Sequence, residues 1–189
     1  MTHTSFYDRF FARSLELMAT ADTSGYFQHL NPAWTQVLGY SLEELKSRPF
    51  LDFVHPDDIA STNQEVAKVF GGAEVFHFEN RYRRKDGSYC WLAWSGGVSQ
   101  EDNMIFCCAR DISVQKRLAE EKEQALSALG RFQALADSTS DFVGMFSTDY
   151  QVTYVNTAGL RMIGHAEGNP SGLRAMALHP AEHQQRILN

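Results

Sequence analysis

No apolar run in this chain of 189 residues approaches the roughly 20 consecutive residues a helix needs to cross a bilayer. The start, MTHTSFYDRF, has neither the basic head nor the apolar stretch of a secretory signal, so a cytoplasmic location is expected. Basic residues are outnumbered, 17 Lys and Arg against 23 Asp and Glu, for a formal charge of −6. Nucleic-acid phosphates are held by a basic face, so this balance argues against nucleic acid as a partner. The one basic cluster is Arg81, Arg83, Arg84 and Lys85. Cysteine is scarce, only Cys90, Cys107 and Cys108, and no C-x-x-C spacing exists to hold structural zinc. Buried, reduced packing thiols are the first reading of the three, and a redox-responsive thiol is the second. Also missing are a nucleophile beside a base and a glycine loop shaped for phosphate; Gly71-Gly72 and Gly96-Gly97 read as turns. No catalysis is expected from these residues, and any kinase or cyclase activity would lie in sequence after Asn189.

What the chain does have is an aromatic-rich stretch from Val75 to Ser113. Phe76, Phe78, Asn80 and Tyr82 alternate with His77, Glu79, Arg81 and Arg83, the pattern of a strand with one buried face. Asp86-Gly87 suits a tight hairpin turn. The return run Tyr89 to Ser95 puts Tyr89 and Trp91 on one face and Cys90, Leu92 and Trp94 on the other. A polar loop, Gly96 to Asn103, then leads to the apolar run Met104 to Ala109. Three such strands make a meander, and a sheet apolar on both faces needs two coverings.

Before the meander, Phe6, Tyr7, Phe10 and Phe11 recur at helical spacing in a short amphipathic helix, a candidate cover for the meander's outer face or an ordinary cap. Leu15 to Ala21 and Tyr26 to Leu30 read as strands around the turn Asp22 to Gly25. Pro32 suits a helix start, and Ala33 to Leu38 forms a helix that Gly39 ends. Ser41 and Glu44 form a capping box for another. His55-Pro56-Asp57-Asp58 resembles a metal or catalytic cluster but fits better as the start of a helix running through Val69, since it lacks converging ligands.

After the meander, Ser113 is placed to cap a helix reaching about Ala136. Leu118, Ala125 and Phe132 are seven apart, and Ala128 and Leu135 take the complementary heptad positions, with Glu121 intruding at a core-type one. A parallel connector between two copies of the chain is one reading and a solvated linker helix the other. The chain then repeats itself. Asp149 followed by Val152 to Asn156 matches Asp22 followed by Tyr26 to Asn31, Asn156-Thr157-Ala158 matches Asn31-Pro32-Ala33, and His179-Pro180-Ala181-Glu182 matches His55-Pro56-Asp57-Asp58. The second copy reaches Asn189 before any counterpart of the meander.

Asp22-x-x-Gly25, Asn31-Pro32-Ala33, Leu38-Gly39-Tyr40-Ser41-x-Glu43-Glu44-Leu45, His55-Pro56-Asp57-Asp58, Arg81-x-Arg83-Arg84-Lys85-Asp86-Gly87-Ser88-x-x-Trp91 and Arg110-Asp111-Ile112-Ser113 together resemble the Per-Arnt-Sim (PAS) sensor family of bacterial signalling proteins. The resemblance implies an α+β fold: a five-stranded antiparallel sheet with short helices on one face, forming a pocket, then a connector helix and a partial second PAS domain. The expected domains are a cap helix at 1–13, a PAS domain at 14–113, a connector at 114–136 and an incomplete second PAS domain at 137–189.

Trp34, Phe53, Phe78, Asn80, Tyr82, Leu92 and Trp94 are the pocket candidates. Asp111, Ile112 and Ser113 are the signal exit, with Ser113 where the family more often has Thr. Leu118, Ala125, Phe132 and Leu135 are the candidate dimer contacts. The ligand is open. The Asn-Cys-Arg-Phe run of flavin-adduct photoreceptors is missing, with Arg48 to Phe53 in that region. Haem would need an axial His on the pocket side, and His77 should point away. Non-covalent flavin against Trp34, Asn80, Tyr82 and Trp94 competes with aromatics that simply fill the core. A homodimeric sensory module of a sensor histidine kinase or cyclic-dinucleotide enzyme, with its output domain in the same polypeptide, is one expected role. A ligand-free interaction scaffold is the other.

Overall fold

The first hairpin is set by its turn. Asp22 Oδ1 accepts from the amides of Ser24 and Tyr26, and Gly25 takes the left-handed conformation (φ +83°) that closes the loop. The flanking strands are β1 (Leu17–Ala21) and β2 (Phe27–Leu30), while Leu15 is left in solvent ahead of β1. A computed structural model of the chain describes residues 6–99, 101–164 and 174. It divides into two compact units, Met1–Ala119 and Glu120–Asn189.

In the first unit β3 (Val75–Arg83), β4 (Tyr89–Ser99) and β5 (Met104–Asp111) join the first two strands in an antiparallel sheet of order β2-β1-β5-β4-β3. Helices α2 (Ala33–Leu38), α3 (Leu42–Lys46) and α4 (Ile59–Phe70), with 3-10 turns at Phe50–Phe53 and Pro56–Asp58, cover one face. This is the expected α+β arrangement. Gly39 ends α2 with φ +80°, and Ser41 and Glu44 exchange both bonds of a capping box at α3. His55-Pro56-Asp57-Asp58 starts α4 through one 3-10 turn rather than directly. Asp58 also reaches β3, where its carboxylate accepts from the Arg81 backbone amide and guanidinium (2.8, 2.9 and 2.6 Å). The guanidinium bond holds the Asp58 carboxyl below the usual carboxylate range.

Two expectations about the meander fail. The alternation read from Phe76 breaks at His77, whose φ of +65° marks a bulge in the β3–β4 pairing. Phe76 is thereby turned outward, 69% exposed, and Val75 is buried in its place, with Phe78 half-buried and Asn80 and Tyr82 buried beyond it. The second failure is the polar loop. Gly96 and Gly97 are mid-strand, paired with Cys107 and Phe106, and β4 runs on to Ser99. Gly96 is required by close approach, since a Cβ there would stand 2.3 Å from the Phe106 carbonyl oxygen.

The helix α1 (Phe6–Arg13) buries no residue. Tyr7, Asp8 and Phe11 border a groove on the outer face of the sheet with Met18, Phe106 and Cys108, so the expected cover is partial. Helix α5 (Ser113–Ser138) is 26 residues long, about 39 Å at 1.5 Å per residue.

The second unit contains the hairpin β6 (Gly144–Phe146) and β7 (Val152–Val155), followed by α6 (Thr157–Met162). It repeats the first hairpin with Asn156 in the place of Asn31, as the sequence reads, and only the turn residue differs. Ser147, not Asp149, matches Asp22: its Oγ accepts from the Gln151 amide as Asp22 Oδ1 does from Tyr26. Tyr150 then takes the left-handed place of Gly25, with φ +63°. His165 and His179-Pro180-Ala181-Glu182 lie outside the described residues.

Candidate functional site

The first unit's core is in two pieces. The larger joins β1, β2, α2, α3 and the first 3-10 turn around Trp34, Phe53, Tyr82 and Leu92; the smaller is Val69, Val75 and Ile105 with Phe78 and Val98 against them. Between them lies a cavity of about 80 Å3. Thr62, Glu65, Val66 and Val69 line it from one face of α4, a set at helical spacing. Opposite stand Phe78, Asn80, Tyr82 and Trp94 of β3 and β4, with Ala21, Phe27, Phe50, Ile105 and Cys107 closing the sides.

Four of the seven pocket candidates thus border the cavity: Phe78, Asn80, Tyr82 and Trp94. Trp34, Phe53 and Leu92 do not; they are completely buried in the larger core. The Trp34 indole N–H is committed to the Met18 carbonyl (3.0 Å), and its ring is wedged against Phe27 and Trp94. Phe53 meets the edge of Tyr40, and Leu92 faces inward between Asn80 and Asp111 in the sheet register. The α4 wall was missed because its alternating Thr62, Glu65, Val66 and Val69 read only as an amphipathic helix.

Most polar groups of the lining satisfy one another. Trp94 Nε1 donates to Asn80 Oδ1 (2.7 Å), Asn80 Nδ2 donates to Thr62 Oγ1 (3.0 Å), and Thr62 Oγ1 donates to the Asp58 carbonyl (2.7 Å). Tyr82 differs. It is buried, burial raises its pKa well above the ordinary value, and its hydroxyl has no hydrogen-bond partner among the described residues. Burial also pushes the Cys90 thiol up to about 11 and the Cys107 thiol up to about 12. Cys90 is fully buried and Cys107 packs, half-buried, against both core pieces, as packing thiols do; Cys108 is half-buried and belongs to neither.

The residues do not fit a flavin or a haem. Pockets for ligands of that size run to about 300–1,000 Å3, and no His lines this one. His77 is exposed at the bulge. Among the described residues no group of three His, Cys, Asp or Glu is placed to hold a metal ion.

The outer faces of β3 and β4 grip the start of α5. Asp111 Oδ1 accepts from the Ser113 amide (2.8 Å) and hydroxyl (2.5 Å), while Asp111 Oδ2 accepts from Arg84 (2.8 Å). Ser113 Oγ in turn accepts from the Trp91 amide (2.9 Å). Ser113 is therefore the first helical residue and ties the helix to β4; the expected cap role falls to the Asp111 carboxylate, which takes the free amide. Ile112 is buried and donates its amide to the Trp91 carbonyl. The Trp91 ring lies within 5.3 Å of the Arg81 guanidinium and 5.0 Å of Lys116 Nζ, and Lys116 pairs with Glu79 at 2.5 Å. Arg84 also donates Nε to the Val37 carbonyl, so one side chain joins the end of α2 to the exit. Arg84, Trp91, Lys116 and Glu79 were not among the expected exit residues, because they come together only in the fold.

Of the candidate dimer contacts, Leu118 and Leu135 are 56% and 71% exposed, and Ala125 is exposed. Phe132 packs edge-on against Tyr154 (5.5 Å), inside the second unit, and so is partly used there.

Residues 27–109 match one PAS fold family and residues 136–189 match a second family of the same description. The chain is 30% identical over 117 residues to the probable diguanylate cyclase DgcE of Escherichia coli, covering 59% of this chain and 11% of that protein. It is 32% identical over 113 residues to the E. coli aerotaxis receptor, covering 60% of this chain and 22% of that protein. The chain therefore spans less than a quarter of either relative. A solved domain of a sensory box sensor histidine kinase/response regulator from Geobacter sulfurreducens superposes with a TM-score of 0.50 at 21% identity, over 56% of this chain and 90% of that one. With its five-stranded sheet, inner cavity and repeated Asn hairpin, the chain belongs to the PAS sensor family, as one PAS domain followed by part of a second.

Proposed function

We propose that this chain is a cytosolic sensory and dimerisation module of a larger signalling protein, with an output such as a histidine kinase or a cyclic-dinucleotide enzyme in the same polypeptide. One observation carries the reading. Along β3 and β4, residues of the cavity alternate with residues of the grip on α5: Asn80 and Tyr82 with Glu79 and Arg81, and Trp94 three residues from Trp91. A strand is stiff and its side chains point to alternate faces, so a shift of its inner row moves its outer row. The helix start would follow and bias a dimer between two arrangements. The relatives' names, a diguanylate cyclase and an aerotaxis receptor, support the signalling context.

Dimerisation is the testable core. Sedimentation velocity of the 189-residue chain from about 1 to 500 μM should show a concentration-dependent dimer, and a chain monomeric throughout would overturn the reading. The complete burial of Trp34, Phe53 and Leu92 in the larger core favours the second reading, a scaffold with a filled core. Titration of the chain with small molecules under native conditions, followed by NMR, separates the two, since only a sensor binds one saturably.

A further inference from the structure

The cavity's size, its charge and one hydroxyl with no protein partner among the described residues together define a ligand class. An apolar protein cavity of about 150 Å3 is filled by benzene, so the 80 Å3 here accommodates about three or four non-hydrogen atoms. No Lys, Arg or His lines it, and its one charged member, Glu65, is an anion already paired with Lys68 at 2.7 Å. An anion would therefore meet repulsion without a counter-charge, and a cation would have to be desolvated against a carboxylate already in use. The occupant is neutral. Asn80, Thr62 and Trp94 are bonded to one another, whereas the hydroxyl of Tyr82, a residue 2% exposed, has no partner among the described residues. A phenol so buried keeps its proton and donates it. Val66, Val69, Phe78 and Ile105 offer only apolar contact.

We propose that the cavity binds a neutral molecule of about three or four non-hydrogen atoms, a short-chain ketone, aldehyde or alcohol, whose oxygen accepts a hydrogen bond from Tyr82. The proposal rests on the sensory reading above and gives it a ligand class. So small a ligand binds weakly, with a dissociation constant of tens of micromolar at the tightest and millimolar values expected.

The test is a set of titrations of the 189-residue chain followed by amide NMR, with acetone as the probe, acetate as an anion of equal size and isobutene as an apolar mimic lacking the oxygen. Acetone should shift the amides of Thr62, Asn80 and Tyr82 saturably, and acetate should leave them in place. Tyr82→Phe should weaken acetone about 2- to 10-fold, the range of one hydrogen bond, and leave isobutene unchanged, which also shows that the variant retains its cavity. The proposal is overturned by absence of saturable shifts at these amides, by acetate binding as well as acetone, or by an unaltered acetone affinity in the variant. Acetone binding that leaves the amides of Val114 to Lys116 unmoved supports the ligand class and sinks only the relay to α5.

Discussion

Asn31 and Asn156 perform one task at two places in the chain. Asn31 Oδ1 accepts from the Met18 amide (3.1 Å) and its Nδ2 donates to the carbonyls of Ser14 and Glu16 (3.3 and 2.8 Å). Asn156 Oδ1 accepts from the Val143 amide (2.9 Å) and its Nδ2 donates to those of Ala136 and Asp141 (2.7 and 2.9 Å). Each residue is buried and staples the segment entering a hairpin to the residue leaving it. Asn31→Ala leaves those backbone groups unpaired and should cost about 2–4 kcal/mol. Asn31→Asp keeps the shape but sets a carboxylate against two carbonyls, so it should cost at least as much, where a packing role alone would make it nearly neutral. Urea unfolding at pH 7 measures both. The repeat around these residues was legible in the sequence; their bonding, which reaches 13 to 20 residues along the chain, was not. Ser147 escaped notice because a hydroxyl and a carboxylate do the same work in that turn and do not look alike in sequence.

At the scale of elements, helix ends were the most legible features, because Gly39, Ser41 and Glu44 act through bonds within four residues. The sheet was less so. The Gly96-Gly97 pair signals a turn locally, yet its cause is the backbone of β5 passing beside it, which no local pattern records. The bulge at His77 likewise reverses Phe76 without any breaker residue. Contacts of the exit are more distant still: Glu79, Trp91 and Lys116 belong to β3, β4 and α5. Trp91→Ala removes two cation–aromatic contacts, worth together about 1–2 kcal/mol, and leaves the half-exposed site without a cavity. Amide exchange at Lys116, whose N–H closes the first turn of α5 onto Ile112, should quicken about 5- to 30-fold. Amides paired between β4 and β5 should keep their protection. Uniform acceleration throughout the sheet would mean that Trp91 supports the domain rather than the exit.

For the molecule as a whole, α5 belongs to both units, and its apolar residues are divided in what they do. Leu118, Leu126 and Leu129 are half-exposed or more, while Phe132 covers Tyr154. The heptad reading treated Leu118, Phe132 and Leu135 alike because spacing along a helix records which residues share a stripe, not what already lies on it. The dimer proposed above therefore predicts two separable phenotypes. Leu118→Asp places a charge on the free stripe and should weaken dimerisation at least about tenfold, with the fold of either unit intact, since 56% of Leu118 is already in water. Phe132→Ala should instead loosen the β6–β7 hairpin, seen as faster exchange of the Met145 and Val155 amides, with a smaller effect on association. Sedimentation of the two variants beside the parent chain, with amide exchange on the same samples, reads both. If Leu118→Asp dimerises as the parent does, α5 is a solvated connector and the contact between copies lies elsewhere.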